Sequence, residues 1–285
     1  MFRTWERKVN PDNPMVPYLA TLLEVVDLTP DTKLFKVELN DAAVRESFDY
    51  KPGQFAFLSA FGVGESPFGL TSVAYRRTAL EFAVRRVGTV TNALHELEPG
   101  VAIGIRGPFG NYFPLDEYKR KNIYIVGGGI GFAPLRPIIL TILDHREDYG
   151  DLLILNGART PADLVFAPEF DTWASSPRTR VELTVDRGDG DWSGREALLP
   201  AVVAELGFSP VNAMAIICGP PIMIHFTLIE LRKLGFANHQ IVTTLEAKMK
   251  CGLGKCARCN IGQKYVCQDG PVFTMDQISE LLEEF

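Results

Sequence analysis

Near residue 117 the spacing of apolar residues changes period, so one chain must supply two different architectures. From Tyr18 to Asp116 six short β-rich runs follow one another: YLATLLEVVDL, KLFKVEL, FAFLSAF, LTSVAY, LEFAVRRV and VAIGIRG. Turn signals at Thr29-Pro30-Asp31, Lys51-Pro52-Gly53, Pro99-Gly100 and Gly107-Pro108-Phe109-Gly110 divide them. Six short strands without long helices predict a closed antiparallel β barrel, with one brief helix at Thr91–Leu97. From Lys121 the runs NIYIVGG, LLILNGA, VELTVD and AMAIICGP read as buried strands. Helix-compatible stretches at Pro134–Asp144, Arg195–Glu205 and Ile222–Leu234 alternate with them, which predicts a parallel α/β sheet covered on both faces. A chain of 285 residues suits two such domains, each with its own core.

The first of the later strands runs into IVGGGIGFAPLRP. Gly127, Gly128, Gly129 and Gly131 lie where a strand meets a helix, with Pro134 inside the helix start. The pattern is G-x-G-x-G, close to the dinucleotide fingerprint G-x-G-x-x-G but not identical. Glycines let a pyrophosphate approach helix N–H groups there; alternatively they serve tight packing alone. The next strand ends in Asn156-Gly157-Ala158-Arg159, without the acidic residue that usually holds a ribose. Arg159 reads either as a partner for a 2′-phosphate or as a solvated loop arginine. Cys218, Gly219 and Pro220 close a late strand, where ligands of open α/β sheets gather. Cys218 is read as lining a nicotinamide pocket, with a buried structural cysteine as the alternative.

Cys251, Cys256, Cys259 and Cys267 form C-x4-C-x2-C-x7-C. The first three match the spacing that wraps a [2Fe–2S] cluster, with a fourth thiolate further on. Glycines at 252, 254 and 262 permit tight turns around the ligands. A zinc site remains the alternative, although zinc more often takes two C-x2-C clips. Disulfides are not expected, since the cysteines are sparse and no apolar N-terminal signal is present.

Hydrophobic content of 46%, charged content of 22% and a net charge of −6 describe an ordinary globular chain without a basic stripe for nucleic acid. The apolar runs are too short to span a bilayer, and metal-bound thiolates suggest a reducing cytoplasmic location. Residues 1–17 read as a polar, Pro-interrupted arm, either disordered or docked on a partner. At the other end, Thr274 and Gln277 form a capping box ahead of an apolar stripe of Met275, Ile278, Leu281, Leu282 and Phe285.

With these elements together the chain resembles the ferredoxin–NADP reductase superfamily, and above all its electron-transfer subunits with a C-terminal [2Fe–2S] loop. That group includes the gamma subunit of cytoplasmic nickel–iron sulfhydrogenases, the B subunit of anaerobic sulfite reductase and the electron-transfer subunit of dihydroorotate dehydrogenase. CGLGKCARC followed by YVCQDGPVF, together with GARTPADLVFAPEF and TVDRGDGDW, carries the likeness, which runs from about Pro17 to the end. The resemblance implies an arm at 1–17, an FAD-binding barrel at 18–116, an NAD(P)-binding domain at 117–242 and a [2Fe–2S] loop with a C-terminal helix at 243–285. It also implies that Pro67, Phe68, Gly69, Leu70, Thr71 and Ser72 form the flavin-contacting strand, with Phe68 as the stacking aromatic. Ser66 stands where the superfamily has a pyrophosphate-binding arginine, and Arg85 on a neighbouring strand reads either as the substitute charge or as part of a charged outer strand face. Gly88, Val90 and Thr91 match the helix start that holds the FAD pyrophosphate.

Electron counting leads the same way. A nicotinamide delivers two electrons together and a [2Fe–2S] cluster accepts one, so a flavin is required between them, and the barrel is the domain left to hold it. The expected function is electron exchange between NAD(P)H, FAD, the cluster and a partner subunit carrying iron–sulfur clusters, such as a nickel–iron hydrogenase. Lys250 and Lys255, with backbone amides near the sulfurs, are expected to raise the cluster potential. The alternatives are a subunit of sulfite reductase, dihydroorotate dehydrogenase or a bifurcating complex, a stand-alone NAD(P)H–ferredoxin reductase, or a zinc-stabilised nucleotide-binding sensor.

Overall fold

The computed structural model describes residues 13–282, and these divide into two compact units. The first comprises residues up to Asp27, then Asp31–Phe113 and Leu245–Val272. The second comprises Leu28–Pro30, Pro114–Thr244 and the segment from Phe273 onward. The cysteine segment therefore groups with the barrel that precedes the nucleotide-binding sequence, not with the sequence it follows.

The first unit is built on strands β1 (Tyr18–Thr29), β2 (Thr32–Leu39), β3 (Phe55–Ala60), β4 (Gly64–Gly69), β5 (Leu80–Arg85) and β6 (Ala102–Phe109). They form one sheet in the order β4-β3-β6-β1-β2-β5. Helices α1 (Ala42–Ser47) and α2 (Thr89–His95) are short, as expected for connections in a barrel. Phe35 and Phe82 face each other directly across β2 and β5 and are fully buried, within a core that includes Leu22, Val37, Leu58 and Ile105.

Two sequence expectations differ from the structure here. LTSVAY does not form a strand: β4 ends at Gly69, and Ala74–Arg76 is a 3-10 turn. The Thr71 N–H instead donates to the Glu81 carbonyl at 2.9 Å, so one backbone–backbone bond links the stretch after β4 to β5. The β-prone composition of that run supports this single closure, not a ladder. The turn expected at Gly107–Gly110 lies partly inside β6. Gly107 has φ +153°, and a Cβ there would come 2.8 Å from that of Ala56, beside the irregular pairing of β3 between Phe55 and Phe57. Glycine bends the strand without ending it.

The second unit contains β7 (Asn122–Gly128), β8 (Leu152–Ala158), β9 (Thr179–Val185), β10 (Arg195–Glu196), β11 (Ala213–Cys218) and β12 (Ile241–Thr244). Their order is β10-β9-β8-β7-β11-β12, all neighbours parallel, with Val272–Thr274 beside β12 at the edge. The chain steps outward from β7 to β10 and then crosses back to place β11 on the other side of β7, which makes the end of β7 a topological switch point. The helices are α3 (Arg136–Asp144), α4 (Phe170–Ala174), α5 (Leu199–Leu206) and α6 (Pro221–Lys233). The helix expected from Pro134 starts two residues later, after a 3-10 turn over Gly129–Leu135, because Pro134 and Pro137 remove N–H donors from that stretch. The Thr274–Gln277 capping box forms, with Thr274 N–H to Gln277 Oε1 at 2.9 Å. Of the expected stripe, Met275 is buried and Ile278 packs beside it, while the side chains of Leu281, Leu282 and Phe285 lie outside the described residues.

Emptying the barrel centre is expected to be costly. Phe82→Ala should lower unfolding free energy by about 3–5 kcal/mol, read as a drop in the urea midpoint of the transition followed by amide exchange in β2 and β5.

Candidate functional site

The cysteine segment has little secondary structure of its own: a two-residue hairpin pairing Asn260–Ile261 with Lys264–Tyr265, then the single-turn helix Val266–Asp269. Its shape depends on glycines and on what lies beneath. Gly252 has φ +75°, and a Cβ there would meet the Phe57 and Phe109 rings at 3.0 and 3.1 Å. Gly254 and Gly262 also take the left-handed region. Below the segment, Phe55, Phe57 and Phe109 form a triangle with ring centroids 5.7–5.9 Å apart. Cys259, Val266 and Cys267 are buried against these rings, with Leu253, Ile261 and Tyr265 around them. Each such ring taken out of water contributes about 1.5–3 kcal/mol.

The four thiols come in two neighbouring pairs. The Cys256 side chain acts on the Cys251 thiol, and the Cys259 side chain on the Cys267 thiol. Among the described residues no three His, Cys, Asp or Glu side chains converge where one metal ion sits. Two thiolate pairs suit a binuclear cluster, one pair per iron, better than a single tetrahedral ion. The donors around them fit a negatively charged group. The N–H groups of Leu253 and Lys255 donate to Cys251 Sγ at 3.3 and 3.4 Å, and that of Gly254 to Cys267 Sγ at 3.2 Å. Burial pushes the Cys251 thiol up, but the amides of Leu253, Cys256 and Lys255 and the Cys256 side chain bring it down to about 6. Cys267 is pushed up to about 12 by burial and by the Cys259 thiol. Cys251, Cys259 and Cys267 are buried, and Cys256 is exposed together with Lys255 and Arg258.

The chain also clamps the segment from the barrel side. Asn111 donates from Nδ2 to the carbonyls of Asp269 and Val272 at 2.8 and 2.7 Å, and its Oδ1 accepts from Val272 N–H at 2.9 Å. Arg106, buried on β6, donates to the carbonyls of Lys250 and Cys251. The sequence pattern gives none of Phe55, Phe57, Phe109, Arg106 and Asn111 a role at this site. One signal was available: FAFLSAF is apolar at both alternations, so β3 needs a cover on each face.

On the barrel, Pro67, Phe68 and Gly69 are half-buried on the edge strand β4, and Phe68 packs partly against the core. Leu70, Thr71 and Ser72 are buried. The Ser72 hydroxyl is held by Tyr50 Oη at 2.6 Å and accepts the Glu81 N–H at 3.0 Å, so it serves the barrel wall. Arg85 Nε donates to Asp31 at 2.7 Å, which offsets the charge expected of it. Thr91 Oγ1 accepts the N–H groups of Val87 and Gly88, both at 2.9 Å, and fixes the start of α2. A Cβ at Gly88 would meet nothing within 4 Å, so the space beside that turn is open.

In the second unit, Gly127 stands in register with Cys218 on one side and Asn156 on the other. A Cβ on Gly131 would lie 2.5 Å from Gly219 Cα, so the loop after β7 and the end of β11 are in close backbone contact. Gly129 has φ +55° and open space at its Cβ position. Cys218 is buried and its Sγ sits 2.8 Å from Thr244 Oγ1, while Gly219 is half-buried and Pro220 exposed. Asn156 is 1% exposed, and neither end of its side-chain amide has a partner among the described residues. A polar group left orphaned at a strand end beside the glycine loop fits a site that receives a polar ligand. Arg159 is exposed, its carbonyl accepting the Arg187 N–H at 3.0 Å, and Thr160 and Asp163 cap the following turn.

Comparison with known proteins matches this geometry in three parts. Family models match the oxidoreductase FAD-binding domain over residues 19–113 and the oxidoreductase NAD-binding domain over 125–228. The iron–sulfur cluster binding domain of dihydroorotate dehydrogenase B matches over 246–279. The gamma subunit of sulfhydrogenase 1 from Pyrococcus furiosus is 37% identical, over 92% of each chain. The chain belongs to the ferredoxin–NADP reductase superfamily. Within it, a probable electron-transfer subunit of dihydroorotate dehydrogenase B (NAD(+)) from Methanocaldococcus jannaschii is 34% identical, over 94% of this chain and 93% of the relative. Among solved structures, the NADH-dependent reduced ferredoxin–NADP oxidoreductase shares the superfamily fold at a TM-score of 0.72 and 23% identity, over 93% of each chain. The FAD-binding, NAD-binding and iron–sulfur-binding domains of the superfamily are thus all present.

The aromatic floor leaves no room above it at Gly252. Gly252→Ala should lower the iron and acid-labile sulfide content of the anaerobically purified protein by more than half, with bound flavin unchanged.

Proposed function

We propose that this chain is the electron-transfer subunit of a multi-subunit oxidoreductase. It exchanges electrons between NAD(P)H and a partner subunit that carries iron–sulfur clusters, the partner being of the nickel–iron hydrogenase type. The observation that carries the reading is the set of four thiols on the flavin-binding unit, three buried and one, Cys256, at the surface. The identity to a sulfhydrogenase gamma subunit supports the choice of partner, and that to dihydroorotate dehydrogenase subunits supports the subunit role. Among the described residues no helix is long and apolar enough to cross a membrane.

When bound, a nicotinamide nucleotide exchanges two electrons together, FAD exchanges them in pairs or singly, and a [2Fe–2S] cluster exchanges one. The residues of the chain bind, orient and exclude water. Gly127, Gly128, Gly129 and Gly131, with Pro134 behind them, keep the end of β7 bare for a pyrophosphate. Gly219 and Pro220 line the neighbouring strand end, and Cys218, held by Thr244, sets the backbone there. Arg159 reads the ribose phosphate from its capped turn. Pro67, Phe68, Gly69, Leu70 and Thr71 present the edge of β4 to a flavin, and Gly88 and Val90 leave room for its phosphates. Ser72, Arg85 and Thr91 act indirectly, by fixing the strands and the helix start. Cys251, Cys256, Cys259 and Cys267 hold the cluster, and the phenylalanine floor keeps water from its buried side.

Cys256→Ser is expected to abolish reduction of the partner while leaving flavin bleaching by NAD(P)H within about twofold of the parent, measured by anaerobic stopped-flow absorbance. Loss of both in a folded variant would refute the assignment of the thiols to the exit side. Arg159→Ala should raise the KM for NADPH and leave that for NADH unchanged; equal effects remove it as a phosphate reader. Size-exclusion of the native material tests the subunit role, since a free monomer fully active with soluble ferredoxin would overturn it.

A further inference from the structure

Arg106 lies on β6 with its side chain 1% exposed. Every N–H of its guanidinium has an acceptor. Nε and Nη2 donate to the two oxygens of Glu65 at 2.9 and 2.6 Å. Nη2 also reaches the Lys250 carbonyl at 3.3 Å, and Nη1 the carbonyls of Cys251 at 3.1 Å and Pro14 at 3.2 Å. Its Cζ sits 4.5 Å from the centre of the Phe57 ring and 5.4 Å from that of Phe109, the same rings that floor the cysteines. Glu65, the counter-charge, is 30% exposed on β4.

Burying a cation with a carboxylate is a poor way to gain stability, because desolvation consumes most of the attraction. An apolar side chain over the same rings would pack without that penalty. What an apolar side chain cannot do is grip two successive carbonyls of the cysteine loop. It also cannot set a positive charge against the carbonyl of Cys251, the first of the four cysteines.

We propose that Arg106, fixed by Glu65, is a positioning residue for the iron–sulfur site: it pins the Lys250–Cys251 backbone and holds the cluster potential up. The two pinned carbonyls are turned to the guanidinium, while the amides of Leu253 and Lys255 face the Cys251 sulfur. The guanidinium favours the reduced, more negative cluster, and the Glu65 carboxylate paired with it opposes part of that effect. The arm contributes too: the Pro14 carbonyl accepts from Nη1, so Pro14 is part of this arrangement.

The inference rests on the four cysteines being the cluster ligands, and the experiment separates the two. Parent, Arg106→Met, Arg106→Lys and Glu65→Gln proteins are purified anaerobically. Iron and sulfide are assayed, iron release to a chelator is timed, and the cluster is titrated with dithionite under electron paramagnetic resonance. Arg106→Met should release iron at least tenfold faster and titrate at a lower potential. Glu65→Gln, which keeps the shape of the pair, should retain its cluster and titrate at a higher potential. Arg106→Lys, with three donors for five acceptors, should recover much of the potential and little of the retention. Opposite shifts from the two partners are a signature that a packing role does not produce. Full clusters with parental potentials in both Arg106→Met and Glu65→Gln, or a Glu65→Gln shift in the same direction as Arg106→Met, overturn the proposal. An Arg106→Met protein without cluster supports the pinning, and Glu65→Gln then decides the potential alone. A parent without iron and sulfide defeats the cysteine assignment instead.

Discussion

The outer face of β3 has to be covered. Ala56, Leu58 and Ala60 point into the barrel core, and Phe55 and Phe57 point the other way. An exposed pair of phenylalanines on a barrel wall, joined by Phe109 from β6, is a large apolar patch with no reason to remain in water. The segment returning after Leu245 fills that need, and in doing so acquires the rigidity it lacks alone. A loop with a two-residue hairpin and one helical turn cannot hold four thiols in fixed places by backbone bonding. It can when two of the cysteines, Cys259 and Cys267, are buried against aromatic rings. The iron–sulfur part of the molecule is in this sense an extension of the barrel, and the contact units reflect it.

Much of this was legible in the sequence. Five of the six expected barrel strands, the later strand–helix alternation and the cysteine spacing are local patterns, and the fold they imply is present. What escaped was of two kinds. Leu70–Tyr75 has strand-like composition, yet only one backbone bond to β5 uses it, because closing a barrel takes less chain than extending a ladder. The delayed start of α3 reflects two prolines whose effect depends on where the first helical turn falls. The second kind is long-range. The partners of Arg106 lie 41, 92 and some 145 positions from it, and Asn111 reaches 158 and 161 positions along the chain. No periodicity reports such pairs. The double-faced apolar pattern of β3 reports only that a partner must exist.

Within the nucleotide-binding unit the limiting factor is backbone proximity. β7 and β11 are adjacent parallel strands whose connections leave in opposite directions at the switch point, and the loop after β7 passes directly over the end of β11. Gly131 lies against Gly219 too closely for a Cβ. This explains why glycines recur at both strand ends although the spacing departs from the usual dinucleotide fingerprint. The spacing of a motif follows from the path of the loop, and here a 3-10 turn replaces the first turn of an α-helix. Cys218 follows the same logic: with its sulfur engaged by Thr244, it is Gly219 and Pro220 that stand open at the strand end.

The cysteine segment sets two opposed tendencies against each other. Burial favours neutral thiols and, equally, the less charged state of whatever the thiolates hold. The amides of Leu253, Gly254 and Lys255 and the buried guanidinium of Arg106 favour negative charge. At Cys251 the second set prevails, bringing the thiol down to about 6, and at Cys267, with one amide and a neighbouring thiol, the first prevails. The segment is therefore uneven: backbone amides favour negative charge at Cys251, while burial disfavours it at Cys267. Cys251 shares its glycine-rich turn with Cys256, the exposed cysteine of the four, so the turn richest in inward-facing amides is also the one that reaches the surface.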